Sequence, residues 1–280
     1  MNVKKYSGEL VPYKPESLRH SLSRSGANDT EVTQVFQAIQ HKLYDGISTR
    51  ELYELAFNYL KNQRNTYAAR YSLKKAIRDL GPEGYHFEKW IAKLFETEGY
   101  QAITGQTIQG HAVTHEIDVI AVKGNKLLAV ECKFRNDIDA KISVTTPMYF
   151  MSRAKDITGI TYNFFNKKLK ITATWLVTNA YLTSDSIKFA AYYKMNLLAW
   201  DYPKNASLKL KVDDNGQYPI TCLTSLDALQ KDTLLKAQCI LVKDIIHNPR
   251  YIKLLSVDTK TKKAILAEAC ELINSPLVGV

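Results

Sequence analysis

Two carboxylates and an ammonium fall within one short stretch of the 280-residue chain, His115 to Lys133, in an order that suits phosphodiester hydrolysis. Asp118 lies among Ile117, Val119 and Ile120, while Glu131 and Lys133, two apart, close the apolar run Leu127 to Val130. Hard carboxylate oxygens hold a divalent cation such as Mg²⁺ or Mn²⁺, and a lysine beside it can orient water or offset charge in the transition state. The apolar setting matters, because a carboxylate placed there is costly without a partner or a metal. Taken alone, the same residues are also what a solvated cross-strand pair would show.

Two adjacent strands are needed to bring these groups together. Ile117, Val119, Ile120 and Val122, then Leu127 to Val130, flank Lys123-Gly124-Asn125, which reads as a hairpin. Alternation puts Ala129, Glu131 and Lys133 on one face of the second strand, with Asp118 opposite them if the register allows. Upstream, Phe87, Ile91, Leu94 and Phe95 give a helix an apolar face with Trp90 at its margin and Glu88 beside it. A carboxylate in that first turn is also what the helix dipole favours. Gln101 to Gln109 predicts a strand before the hairpin, and alternation carries His115 to the face opposite Asp118, as a supporting or DNA-facing residue and not a ligand.

Downstream, Asn136 to Asp139 reads as a loop and Met148 to Ile157 as a helix, with Pro147 in its first turn or at a kink. Tyr149 and Arg153 are four apart and so share a face. Tyr162, Phe164 and Phe165 read as packing residues. Ile171 to Thr178 predicts a buried strand, Ile187 to Tyr193 a helix and Leu197 to Trp200 a last strand, an order that implies a mixed α/β core with a parallel pair.

The flanks are helical in pattern. Val3 to Lys5 and Glu9 to Val11 straddle the turn pair Ser7-Gly8. Four helices follow, opened by Pro15-Glu16, by Asp29 as a cap, by the capping box Ser48 and Glu51, and by the run through Tyr67, Tyr71, Ile77 and Leu80. Tyr202-Pro203 and Asp213 to Gly216 read as a linker, and apolar positions beyond Pro219 predict several short helices.

Composition is that of a globular protein, 45% hydrophobic and 10% aromatic, and the net charge of +10 favours a polyanionic partner. The excess is spread along the chain; Lys167, Lys168 and Lys170 form its densest cluster in the middle part and read as a solvated turn, with contact to a phosphate backbone as the alternative. Cys132, Cys222, Cys239 and Cys270 sit within apolar patterns, form no C-x-x-C pair and read as reduced, buried thiols. The N-terminus has no apolar signal region and no segment has membrane-spanning length, so a cytoplasmic location is expected.

Asp118 followed by Glu131-Cys132-Lys133 resembles the PD-(D/E)xK nuclease motif, in the HEIDV and ECK form of Mrr-like restriction endonuclease domains, with Ile117 in the place of the proline. The resemblance includes Gly81-Pro82-Glu83-Gly84 and Phe87-Glu88 and continues to Arg153-Ala154-Lys155-Asp156-Ile157. It implies Asp118 and Glu131 as metal ligands with the Cys132 carbonyl, Lys133 as the water-orienting or charge-stabilising residue and Glu88 as an accessory acid. Val3-Lys4-Lys5, Ser7-Gly8-Glu9, Val11-Pro12-Tyr13, Ser25-Gly26-Ala27 and Ala69-Arg70-Tyr71 are similar to the ATP-cone, a nucleotide-binding regulatory module. That likeness implies ATP or dATP as an effector held near Val3, Lys4 and Lys5, although Ser17 stands where a second phosphate-binding lysine is usual.

The expected architecture is α/β: a restriction-endonuclease-like mixed sheet over 84–204, between an ATP-cone-like helical domain over 1–83 and a linker with a small helical domain over 205–280. The expected function is a Mg²⁺- or Mn²⁺-dependent DNA endonuclease acting in restriction or DNA processing, as a homo-oligomer, with adenine nucleotide as a regulator. The alternative is a nucleotide-responsive DNA-binding protein whose nuclease fold does not cut.

Overall fold

The structure, a computed structural model, describes residues 1–5 and 8–274. Ser7, part of the expected turn and of the ATP-cone-like pattern, lies outside the described residues. The chain divides into two compact units, one formed by residues 1–73 together with 220–280 and the other by residues 74–219.

The first unit begins with β1 (Asn2–Lys4), β2 (Leu10–Pro12), α1 (Pro15–Ser23), α2 (Asp29–Gln40), β3 (Ile47–Ser48), α3 (Thr49–Gln63) and α4 (Asn65–Tyr71). β1 pairs antiparallel with β2 and parallel with β3, an extra strand that the sequence pattern does not announce because it is two residues long. Pro15 opens α1 as expected, and Ser48 with Glu51 forms a reciprocal capping box. The cap of α2 is Asn28, boxed with Glu31, and not Asp29, which sits in the first turn. Leu18, Leu22, Val32, Phe36, Ile39, Ala56 and Leu60 form the core of this region.

The second unit contains α5 (Leu73–Arg78), α6 (Tyr85–Thr97), β4 (Gln101–Gln109), β5 (Thr114–Lys123), β6 (Lys126–Lys133), β7 (Lys141–Ile142), α7 (Thr145–Ile157), β8 (Thr161–Phe164), β9 (Lys167–Thr178), β10 (Tyr181–Leu182), α8 (Ser184–Tyr192), β11 (Asn196–Leu198) and α9 (Leu208–Asn215). The expected fourth helix of the N-terminal region is thus two, α4 and α5, separated at Ser72. The main sheet has the order β11-β9-β6-β5-β4, with β8 attached to β9. β4, β5 and β6 form an antiparallel meander, whereas β6, β9 and β11 run parallel.

α6 packs on β4, β5 and β6, and α7 packs on β9 and α8. Trp90 is fully buried, not marginal, and its indole N–H donates to the Gln217 carbonyl at 3.0 Å. The Lys167 to Lys170 cluster is strand, not turn: it pairs with β8 across a two-residue loop in which Phe165 and Asn166 both have positive φ. Residues 208–215, expected within a linker, are α9, capped by Ser207 and ended by Gly216 in the left-handed conformation.

The chain then returns to the first unit with a 3-10 turn at Ile220–Cys222 and with α10 (Ala228–Lys236), α11 (Val242–His247), α12 (Pro249–Lys253) and α13 (Thr259–Asn274). α13 lies on α4, where Thr66 donates to Glu271 at 3.2 Å and Arg70 donates to the Leu272 carbonyl at 3.3 Å. Buried Glu268 accepts the Thr224 N–H, the Thr224 hydroxyl and the Ser225 N–H. No described helix is long and apolar enough to cross a membrane.

Candidate active site

The site is a fork in the sheet. β5 and β6 pair from the hairpin turn at Gly124-Asn125 up to Val119 and Val130, and there the pairing stops. Beyond that point β5 stays with β4 as far as Thr114, while β6 stays with β9 as far as Lys133 opposite Thr178. Each strand is held by its outer neighbour, so the two part between Asp118 and Glu131.

Asp118 sits at the split. Its Oδ2 accepts the Cys132 N–H at 2.6 Å, taking the place of a ladder bond. On its other side, Gly105 of β4 stands across from Asp118 without pairing and has a φ of +61°. A residue with a side chain adopts that conformation reluctantly.

β6 carries Glu131 and Lys133 to the same opening. Its end is fixed by β9: the Thr178 hydroxyl donates to the Lys133 carbonyl at 2.5 Å, and the Asn179 side chain binds both backbone groups of Arg135. Cys132 directs its N–H into the fork, and an extended residue directs its N–H and carbonyl to the same side. The Cys132 thiol is pushed well above its usual range by burial and then by Asp118, Glu88 and Glu131.

α6 supplies Glu88. Gly84 caps this helix at a φ of +83°, where an added Cβ would lie 3.6 Å from Phe134 and 3.9 Å from the Glu88 carboxylate, and the Phe87 ring lies 5.4 Å from that of Phe134. Asp118 acts on both glutamates. Glu88 is raised to about 7 by burial first and then by Asp118, Glu116 and Glu131. Glu131 is also raised to about 7, by burial and then by Asp118, with Arg153 and Lys133 pulling the other way. Asp118 is raised by burial, opposed mainly by the Cys132 hydrogen bond and by Arg153.

Arg153 of α7 spans the fork. Its Nη1 donates to Glu131 Oε2 at 2.5 Å, and its Nη2 donates to the Glu116 carbonyl on β5. Both side chains of this ion pair are more than four-fifths enclosed. Removing one partner of such a pair costs about 3–5 kcal/mol, against at most about 1 kcal/mol for an exposed pair. Tyr149, the other residue singled out on this helix, is exposed, with the Arg153 guanidinium 5.8 Å from its ring centre. One turn on, Asp156 anchors α7 to β5: it binds His115 Nε2 at 2.7 Å and accepts the N–H groups of Ala112 and Val113. Of the two roles open to His115, supporting or DNA-facing, this contact favours the first.

Two contributors escape a reading of the sequence. Glu116 offers its carbonyl to Arg153 and its charge to Glu88 and Asp118; its spacing of two from Asp118 was the available signal. Asp156 lay within the stretch that resembles the nuclease family, but no role could be read for it, because its partners lie more than forty residues away.

Among the described residues, no three His, Cys, Asp or Glu side chains converge as they stand into a set able to hold a metal ion. The cause is visible in the partners: Arg153 takes one Glu131 oxygen and the Cys132 N–H takes one Asp118 oxygen. The donor chemistry nevertheless fits a hard cation, since burial raises all three carboxyls and the Asp118 charge adds to the rise at both Glu88 and Glu131.

At the other end of the chain, Val3 is buried in the first unit's sheet, Lys4 is exposed, and Lys5 Nζ is bound to Glu9 at 2.9 Å. The Val3 side chain is core, which leaves the two lysines as the cationic groups of the expected nucleotide site.

Comparison with known proteins finds three separate segments of similarity. Residues 1–80 match the ATP cone domain model, residues 81–183 that of the archaeal Holliday junction resolvase (hjc), and residues 218–273 that of the AF1548-like C-terminal region. An uncharacterized protein of Archaeoglobus fulgidus is 27% identical over 185 residues, which is 66% of this chain and all of that protein. The crystal structure of AF1548, a protein of unknown function, superposes with a TM-score of 0.54 at 26% identity, covering 68% of this chain and 97% of that one. The architecture is thus a mixed α/β, nuclease-like core with an ATP-cone at its N-terminal side and a helical C-terminal region.

Proposed function

We propose that the protein is a divalent-metal-dependent DNA endonuclease. The observation that carries this reading is the fork, where Asp118, Glu131 and Glu88 share one opening with the Lys133 ammonium beside them. A bound Mg²⁺ or Mn²⁺ would supply Lewis acidity and a more acidic water. Asp118 and Glu131 would hold it, with the Cys132 carbonyl turned to the same side. Lys133 acts on both carboxylates electrostatically and forms no ion pair among the described residues, which supports the role of orienting water and offsetting charge on the phosphate. Glu88, with its proton held to about pH 7, is suited to exchange a proton with that water.

The resolvase match over residues 81–183 favours a DNA-processing role on branched substrates. The Mrr-like likeness of the same motif favours restriction of linear duplex, and the ATP-cone match adds adenine nucleotide as a regulator. The test sets differently modified plasmids and a four-way junction side by side, each with Mg²⁺, Mn²⁺ or Ca²⁺. Cutting is expected with Mg²⁺ or Mn²⁺ and binding alone with Ca²⁺. A protein that binds DNA equally in all three ions and never cuts is instead a regulatory binder.

A further inference from the structure

Arg153 is a largely enclosed cation at the fork, and its position is odd for a purely structural residue. It bonds one oxygen of Glu131, a candidate ligand, and a backbone carbonyl of the opposite strand, so it closes with its own charge the gap that separates the strands. It reaches there from α7, which Asp156 ties to β5 through His115, Ala112 and Val113. The helix is therefore anchored independently of the Arg153 contacts. Tyr149, on the same helix face, is exposed and lies alongside the guanidinium.

We propose that Arg153 is a displaceable countercation: it keeps Glu131 occupied until a divalent cation competes for that oxygen, and the released guanidinium then binds a phosphate of the DNA. This rests on the reading of the fork as a metal site. Its physical basis is that a planar fork of donors suits carboxylate and phosphate equally well, so one group serves both states in turn. A structural clamp and a displaceable one differ in sign. If Arg153 merely positions Glu131, its loss weakens metal binding; if it competes with the metal, its loss strengthens metal binding.

The experiment measures Mn²⁺ affinity by calorimetry on the full chain, for the parent, Arg153→Gln, Arg153→Lys and Glu131→Gln. The expected result is at least about fivefold tighter Mn²⁺ binding for Arg153→Gln, equivalent to roughly 1 kcal/mol. Weaker binding to a four-way junction in Ca²⁺ is expected alongside it. Equal or weaker Mn²⁺ binding by Arg153→Gln overturns the proposal. A parent that binds no Mn²⁺, or binds it as well after Glu131→Gln, overturns the metal site itself.

A measurement that needs no variant guards against misfolding. Phenylglyoxal modification of the parent, read by mass spectrometry, should find Arg153 shielded in chelator, reactive with Mn²⁺ and shielded again when DNA is added. Unchanged reactivity across the three states overturns the displacement.

Discussion

The Asp118 carboxylate and the Cys132 amide are joined at 2.6 Å at the point where β5 and β6 cease to pair. One side chain thus terminates a strand ladder and presents its second oxygen to the opening, so its structural and chemical duties can be separated by substitution.

Asp118→Asn keeps an acceptor for the Cys132 amide and is expected to fold with near-parental stability while losing cleavage. Asp118→Ala leaves that amide without its partner, at a cost of about 1–3 kcal/mol, and should lose both. Lys133→Ala should lose cleavage and keep folding and most DNA binding. Nicking assays beside thermal melts check all three, and undiminished cutting by Asp118→Asn and Lys133→Ala would refute the assignment.

Glu131 is lifted from its ordinary 4.5 to about 7, first by burial and then by Asp118. A folded-state value above the unfolded one adds stability that is complete below about pH 4.5 and is lost as pH rises through about 7. Without metal, Tm should fall between pH 5 and 8. Saturating Ca²⁺ should reduce the fall, and Glu131→Gln should remove much of it. A Tm that climbs with pH in chelator contradicts the burial of this carboxylate.

Gly110 lies where the chain turns toward β5, and a methyl group there would run into the Asp156 carboxylate and the Val113 carbonyl, the latter 2.7 Å away. Gly110→Ala is expected to cost about 1–3 kcal/mol and to loosen the His115 to Asp156 anchor. Denaturant melts read the first effect and the histidine ring resonances the second. Parental values in both would show that the turn yields freely.

A single cleavage centre cuts one strand, so a double-strand break calls for two copies, and closed dimers are the commonest arrangement. We expect a homo-oligomer whose mass and cleavage rate shift with millimolar ATP, through Lys4 and Lys5. Light scattering on the parent and on Lys4→Ala/Lys5→Ala tests this. The Lys5 to Glu9 pair must open for phosphate to reach that lysine, so Glu9→Gln should strengthen the response. No mass change in any of them ends the idea of nucleotide control here.

Much of the core could be read from the residue pattern. Apolar alternation on both sides of Gly124-Asn125 defines the hairpin, and the Phe87 to Phe95 spacing defines α6. Breaks in regularity were less accessible. The fork depends on which neighbour holds each strand beyond Val119 and Val130, and that is a tertiary choice, of which Gly105 is only a local mark. Asp213 to Gly216 has loop composition, yet it is the end of a capped helix, because packing overrides weak local preference. Tyr149 and Arg153 could be paired by spacing, but nothing local said that Arg153 would reach Glu131.

The second compact unit is continuous in sequence, whereas the first needs both ends of the chain: Thr66 and Arg70 wait for Glu271 and Leu272. During synthesis, therefore, residues 74–219 can complete their core while the earlier residues still lack their partners. The core of Leu18 to Leu60 can form early, but the contacts that close the first unit on α13 come last, after the unit between them is complete.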